Sequence, residues 1–224
     1  MKVRSLVASL ILVGALPATA GAVLFQVPGH TLLNVRVRSL VELRFKNVVR
    51  QAYDISCGAA AMATLLKYYY AEQVTEGEAI EAMLTLGDKE VIQKEGFSLL
   101  EMKRFAERRG YVSAGYRIKD VQKLSKLTVP AITLVNVRGY AHFVVVKGVA
   151  QGQVFIADPA YGNRSRPLDS FAGEWNNVIL LVMHETRAGH SAFTLDPTLK
   201  APASDVMLIR DRGLRSISPG AGEF

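Results

Sequence analysis

The segment from Gly58 to Tyr70 limits the possible folds of this chain more than any other, because almost every side chain in it is apolar. Alanine, leucine and methionine dominate the segment, and they are strong helix formers. A helix that is apolar nearly all round must be covered on every side. The pattern therefore predicts a buried central helix. A chain of 224 residues, half of them hydrophobic, can cover such a helix as one domain with extensions.

Helices precede strands along the rest of this domain. Thr75 with Glu78, and Ser98 with Glu101, have capping-box spacing and predict helices over 75–86 and 99–109. From Val129 onward, β-branched and apolar residues predict strands over 131–137, 142–149, 154–157 and 177–183. Helices followed by an antiparallel sheet indicate the α+β class.

The N-terminal residues have the layout of a secretory signal peptide. Lys2 and Arg4 precede an apolar run, which ends in Pro17 and the small residues Ala18-Thr19-Ala20. We expect residues 1–20 to direct export. The uncharged stretch of 5–25 is also just long enough to span a bilayer, so an uncleaved membrane anchor is an alternative.

Four segments follow from these patterns. Residues 1–20 are the predicted signal peptide, and 21–46 are an N-terminal arm with short strands or extended chain over 23–27 and 32–41. Residues 47–185 form the main domain. Residues 186–224, which are rich in Gly, Pro, Ser and charge, are a weakly ordered C-terminal extension.

Several classes of function are disfavoured. The net charge is +7, but no Lys/Arg stripe interleaves with aromatic residues, so we expect no nucleic-acid partner. The GxxxxGK[ST] phosphate loop is absent, so we expect no ATP. A zinc-binding HExxH motif starting at His184 would need a histidine where Ala188 stands. We therefore predict neither a metal nor a cofactor.

Cys57 is the sole cysteine and lies at the predicted start of the central helix. The helix dipole and the free N–H groups at this position favour a thiolate over a thiol. Cys57 is therefore a candidate nucleophile, and a small buried side chain at a tight helix start is the alternative. A nucleophilic cysteine needs a base, and of the four histidines only His142 begins a predicted core strand.

The hairpin after His142 allows a test of geometry. If it turns about Gln151, His142 lies opposite Ala160, and Asp158 is its diagonal neighbour on the same face. A register slip of one residue would place the two side chains on opposite faces. On the same face, Asp158 can orient the imidazole ring. The backbone N–H of Cys57 and the side-chain amide of Gln51 are candidate donors to an oxyanion.

Three blocks of this sequence resemble the catalytic blocks of the C39 bacteriocin-processing peptidases. They are Gln51-Ala52-Tyr53-Asp54-Ile55-Ser56-Cys57-Gly58-Ala59-Ala60, Ala141-His142-Phe143-Val144-Val145 and Ile156-Ala157-Asp158-Pro159. The resemblance implies a papain-like fold with helices packed on an antiparallel sheet. It also implies a Cys57/His142/Asp158 triad with Gln51 in the oxyanion hole. Members of this family typically cut a leader peptide after Gly-Gly.

The chain departs from the family in two respects. Many members are the front domain of an ABC exporter, which this sequence lacks, and Ser56 stands where an acidic residue often precedes the cysteine. Standalone exported members are similar to the peptidase encoded with functional-amyloid secretion systems. The resemblance therefore implies a periplasmic peptidase acting on a co-secreted peptide or protein, with an outer-membrane secretion pore as a further partner.

Two other functions remain open at this point. The same fold could bind and escort a secreted peptide without cutting it, in which case Cys57 would be unreactive. It could also host an amidase or transferase, since Cys/His/Asp sites serve several acyl transfers.

Overall fold

The computed structural model describes residues 39–186 in full, the backbone of Ala22–Phe25 and Leu33–Arg36, and the single residues Gly189 and Phe193. The predicted signal peptide and nearly all of the predicted C-terminal extension lie outside these described residues. No helix in the described part of the chain is both long and apolar enough to cross a membrane.

The two N-terminal strands form a small sheet of their own. Strands β1 (Ala22–Phe25) and β2 (Leu33–Arg36) pair antiparallel. The prediction of extended chain up to Val41 is wrong at its end, because Leu40–Arg44 forms the short helix α1. Leucine, glutamate and arginine favour a helix there, and α1 has no buried residue that would impose a strand.

The predicted helices are present. Helix α2 covers Cys57–Tyr68, and its residues from Gly58 to Leu66 are buried. Helices α3 (Glu76–Leu84) and α5 (Leu99–Arg108) begin with capping boxes at Thr75 and Ser98. Helix α4 (Lys89–Glu95) is not among the predicted helices, and its N-terminus is capped by the Asp88 carboxylate.

Six strands form the main antiparallel sheet. They are β3 (Val112–Arg117), β4 (Ala131–Val137), β5 (Tyr140–Ala150), β6 (Gln153–Asp158), β7 (Gly162–Pro167) and β8 (Trp175–Met183), in the spatial order β3-β8-β4-β5-β6-β7. Helices α2, α3 and α5 contribute to a core with Ile132, Val145 and Leu180 on one face. A 3₁₀ helix (Val121–Lys126) and α6 (Leu168–Glu174) contribute to a core with Val144 and Val146 on the other.

The hairpin of β5 and β6 differs from its predicted geometry. Its turn is the pair Gln151-Gly152, both with positive φ, and Ala150 pairs with Gln153. The register shifts between Val146 and Gly148, so Lys147 is one extra residue on β5. Beyond this bulge Val145 pairs with Ala157. The turn is centred between Gln151 and Gly152 and not on Gln151 alone, and because of the bulge the predicted register holds at the end of the hairpin near His142.

Candidate active site

Cys57 is the first residue of α2 and is partly buried. The preceding Ser56 makes no side-chain cap. Its hydroxyl instead donates to the Glu76 carboxylate at 2.5 Å and accepts from the N–H of Tyr53 at 3.2 Å. Without a side-chain cap, the backbone N–H groups of Cys57 and Gly58 are available to the Cys57 sulfur.

The environment of Cys57 pulls its pKa in two directions. Burial raises the pKa of the thiol above its ordinary value, and the negative charge of Asp158 adds to the rise. Hydrogen bonds from the backbone N–H groups of Phe143 and Gly58 oppose this effect without cancelling it. Desolvation thus outweighs the helix terminus that the sequence analysis considered. A thiolate at neutral pH then needs a protonated partner, and His142 precedes Phe143 in the chain.

His142 and Asp158 form a buried pair. The Nε2 atom of His142 lies 2.9 Å from Oδ2 of Asp158, and both side chains are completely buried. The Nδ1 atom lies 3.4 Å from the carbonyl oxygen of Tyr140. The ring of Tyr140 stacks on the imidazole, and the ring of Tyr161 meets it edge to face. The imidazole is thus held by its carboxylate partner and by two aromatic rings.

Asp158 ends β6 and is surrounded by hydrogen-bond donors. Its Oδ1 accepts from the N–H groups of Ala160 at 2.9 Å and Tyr161 at 3.1 Å, and its Oδ2 accepts from Arg164 Nε at 2.8 Å in addition to His142. Burial alone would raise the pKa of this carboxyl, but the hydrogen bond and charge of His142, the charge of Arg164 and the Ala160 N–H together lower it. The Asp158 side chain is therefore an ionised carboxylate in a dry site.

Cys57 lies near this pair, at the N-terminal end of β5. The β5–β6 ladder ends at Val145 and Ala157, and the backbone N–H of Phe143 there bonds the Cys57 sulfur. Phe143 and α2 belong to the same core. The structure thus brings Cys57 beside the start of β5, close enough to Asp158 for their charges to interact.

Gln51 lies in the loop that leads into α2. Its backbone N–H donates to the Pro159 carbonyl at 3.1 Å, which ties this loop to the end of β6. The side-chain Nε2 donates to the Tyr53 carbonyl at 3.3 Å. The Oε1 atom is buried and has no hydrogen-bond partner among the described residues. The segment is therefore held next to Asp158, while the side-chain amide is engaged with Tyr53.

Glu76 also holds this loop, and it is not among the residues that the sequence predicts at the site. Its two carboxylate oxygens lie 3.1 Å from the N–H of Ala52, and one of them accepts from the Ser56 hydroxyl. Both ends of the segment between Gln51 and Cys57 are thus bonded to the first residue of α3. An acid in the first turn of a helix is ordinary, so the sequence carries no signal for this role.

An open cleft of about 450 Å³ leads to Cys57. Tyr140, Ala141 and Phe143 line it on the side of β5, and residues of the α4 region line it opposite. The lining is mainly apolar at Ile55, Ile92, Phe97 and Leu134, with carboxylates at Asp54, Asp88, Glu95 and Glu101 and a cation at Lys94. Such a cleft can hold an extended peptide against the thiol.

Comparisons with known proteins agree with this architecture. The chain is 40% identical over 181 residues to the probable functional amyloid protease FapD of Pseudomonas aeruginosa, covering 80% of each protein. It is 37% identical over 190 residues to the protein of the same name from Pseudomonas fluorescens, covering 84% of each.

A solved structure of a double-glycine motif protease from an AMS/PCAT transporter, in complex with its leader peptide, superimposes with a TM-score of 0.53. It is 28% identical, and the match covers 61% of this chain and 90% of that protein. The peptidase domain of Streptococcus ComA, at 22% identity, has the same fold, with a TM-score of 0.53 over 62% of this chain and 98% of that domain.

Fold and comparisons together define a cysteine peptidase with a papain-like fold. Residues 45–187 match the Peptidase C39 family, and the chain belongs to this family.

Proposed function

We propose that this chain is an exported endopeptidase that cuts a peptide bond in a secreted protein or leader peptide, in the service of an amyloid or peptide secretion system. The observation that carries the proposal is the buried His142–Asp158 pair at the N-terminal end of β5, near Cys57 and the cleft that leads to it. The similarity to two proteins named functional amyloid proteases supports the amyloid part.

Each proposed catalytic residue has a separate role. His142 takes the proton from the Cys57 thiol, and the sulfur attacks the carbonyl carbon of the substrate. Asp158 accepts the hydrogen bond from His142 Nε2, which fixes the ring's tautomer and stabilises the imidazolium. Since Nε2 is engaged in this way, Nδ1 is the nitrogen that faces the chemistry.

The rest of the cycle follows from the same groups. The oxyanion of the tetrahedral intermediate accepts from the Cys57 backbone N–H and from the Gln51 amide, which must first exchange its bond to Tyr53. The C–N bond then breaks, and the imidazolium gives its proton to the leaving amine. Water attacks the thioester with His142 as base, releases the acid product and restores the thiol.

The position of cleavage is part of the proposal. Cleavage after Gly-Gly is supported by the 28% identical double-glycine protease whose structure contains a leader peptide. Glycine has no side chain, so a pair of glycines can pass a constriction that excludes larger residues. The apolar walls of the cleft then take the residues that precede the glycines.

The experiment compares proteins secreted by cells that carry the wild-type chain with those from cells that carry Cys57→Ser or His142→Ala. New N-termini are identified by mass spectrometry, and matched synthetic peptides with Gly-Gly, Gly-Ala or Ala-Ala before the cut are then incubated with purified enzyme. We expect cleavage by the wild type alone and a preference for Gly-Gly. Cleavage that persists in both variants would exclude the proposed site, and binding of the peptides without any product would favour the escort function.

Export is tested separately from catalysis. We propose that residues 1–20 direct the chain to the periplasm, where it meets a co-secreted substrate and an outer-membrane secretion pore. Fractionation of cells and N-terminal sequencing of the isolated protein show the compartment and whether the leader is removed. A chain recovered with Met1 in the cytoplasmic fraction would contradict export, whatever its activity.

A further inference from the structure

Arg164 on β7 contacts the carboxylate that holds the proposed base. Its Nε donates to Asp158 Oδ2 at 2.8 Å, and its Nη2 lies 2.8 Å from the same oxygen. This is also the oxygen that accepts from His142 Nε2. We infer that Arg164 is a positioning residue, which acts through Asp158 and sets the pH range in which Cys57 and His142 exchange a proton. This inference rests on the proposed triad and goes beyond it.

The burial of the two charges makes this contact strong. The Asp158 side chain is completely buried, and that of Arg164 is 14% exposed. A buried carboxylate without a counter-charge is costly, and it takes up a proton instead. Arg164 remains charged at every accessible pH, whereas His142 is a proton carrier whose charge changes during catalysis. Arg164 is therefore the constant counter-charge, and Asp158 stays ionised in both protonation states of His142.

The direction of the effect follows from the groups that face Asp158. These are His142 from β5, Arg164 from β7 and the Cys57 thiol from α2, with the Tyr140 and Tyr161 rings against the imidazole. The negative charge of Asp158 raises the pKa of Cys57. Without Arg164 that charge is less balanced, so the Cys57 thiolate forms at higher pH.

Arg166 provides a matched control on the same strand. It stands two residues further along β7, so its side chain leaves the sheet on the same face. Arg166 pairs with Glu174 of α6, and it is not among the residues that bond the Asp158 carboxylate. Arg166→Gln therefore removes one positive charge from the same strand and leaves the Asp158 carboxylate untouched.

The test measures the rate at which iodoacetamide alkylates Cys57 in the purified full chain, between about pH 4 and 10, by intact mass. Wild type is compared with Arg164→Gln, Arg164→Lys, Arg166→Gln and His142→Ala. We expect the low-pH limb of the profile to move upward by about one pH unit in Arg164→Gln. Arg164→Lys, which keeps the charge but loses the Nε donor of the planar guanidinium, should show a smaller upward shift. Arg166→Gln should match the wild type.

The outcomes separate this inference from the proposed function. A profile that is the same in wild type and His142→Ala would contradict the proposed Cys57/His142 pair. A profile that depends on His142, but is the same in Arg164→Gln and Arg166→Gln, would overturn only the role of Arg164. Circular dichroism shows whether each variant is folded. If Arg164→Gln does not fold, Arg164→Met takes its place as the variant without the charge. An unshifted low-pH limb in folded Arg164→Met overturns the inference, and a raised limb supports it.

Discussion

His142 Nε2 lies 2.9 Å from Asp158 Oδ2, in a place where neither side chain touches solvent. Asp158→Asn keeps the shape of this contact but removes the charge, and an amide can present its N–H to the ring and favour the wrong tautomer. We expect kcat/KM for a cleaved peptide to fall about a thousandfold or more.

The control for that variant is Asp169→Asn on the exposed side of α6. It makes the same chemical change far from the pair, so its kcat/KM should equal that of the wild type. Equal activity of Asp158→Asn and Asp169→Asn would show that Asp158 has no part in the reaction.

The stability of the protein should fall in acid because of Asp158. The pKa of this carboxyl is lowered in the folded state, so its contribution to folding is complete above the unfolded value of about 3.9 and is lost as pH falls through the folded value. Urea unfolding at pH 7 and near pH 3 measures this. The free energy of unfolding of wild type should approach that of Asp158→Asn as the pH falls. A gap that stays constant between the two pH values would contradict this linkage.

Gln51→Ala should lower the rate of the chemical step. The backbone bond from Gln51 to Pro159 remains, so the loop keeps its attachment to β6. Loss of one oxyanion donor typically lowers kcat by about a hundredfold or more, with little effect on KM. Steady-state kinetics on a cleaved peptide measures the two constants. Gln122→Ala, at an exposed position of the 3₁₀ helix, is the control, and an unchanged kcat in Gln51→Ala would remove Gln51 from the oxyanion hole.

Glu76→Ala should loosen the loop between Gln51 and Cys57. The change leaves the N–H of Ala52 and the hydroxyl of Ser56 without their carboxylate acceptor. We expect kcat to fall at least about tenfold, since small misplacements of catalytic groups have large effects on rate. Hydrogen exchange at Ala52 and Ser56 should become faster in the same variant.

Glu78→Ala is the matched comparison. Glu78 is the other acidic residue in the first turn of α3, and it bonds Thr75 instead of the loop. It weakens the cap of α3 but should leave exchange in the loop unchanged. If Glu76→Ala and Glu78→Ala lose activity to the same extent, the loss is caused by a weaker helix α3 and not by the missing contact with the loop.

The sequence by itself determined the parts of this protein that depend on near neighbours. The capping boxes at Thr75 and Ser98 involve residues three apart, and they are where the sequence analysis places them. The apolar segment after Cys57 is a buried helix. Strand β4 has the predicted bounds. Each of these features is fixed by local hydrogen bonds or by a hydrophobic pattern, and both can be seen in a short window of sequence.

Only the tertiary structure decided how the strands are aligned at the site. The Gln151-Gly152 turn alone sets a register that would place His142 and Asp158 on opposite faces, and the extra residue Lys147 returns them to the same face. The bulge lies in the pairing of β5 with β6, just beyond the end of the β4–β5 ladder at Ala131 and Val146. A short window of sequence does not contain this pairing.

The same reason explains why two contacts at the site could not be predicted. Arg164 lies in a polar strand that carries no hydrophobic pattern, and Glu76 lies on a helix that follows the central one. Arg164 reaches the site because β7 pairs with β6, and Glu76 reaches it because the start of α3 lies beside the loop before Cys57. Residue type and local propensity determine the helices, but the partners of buried charges are determined by which elements pack together.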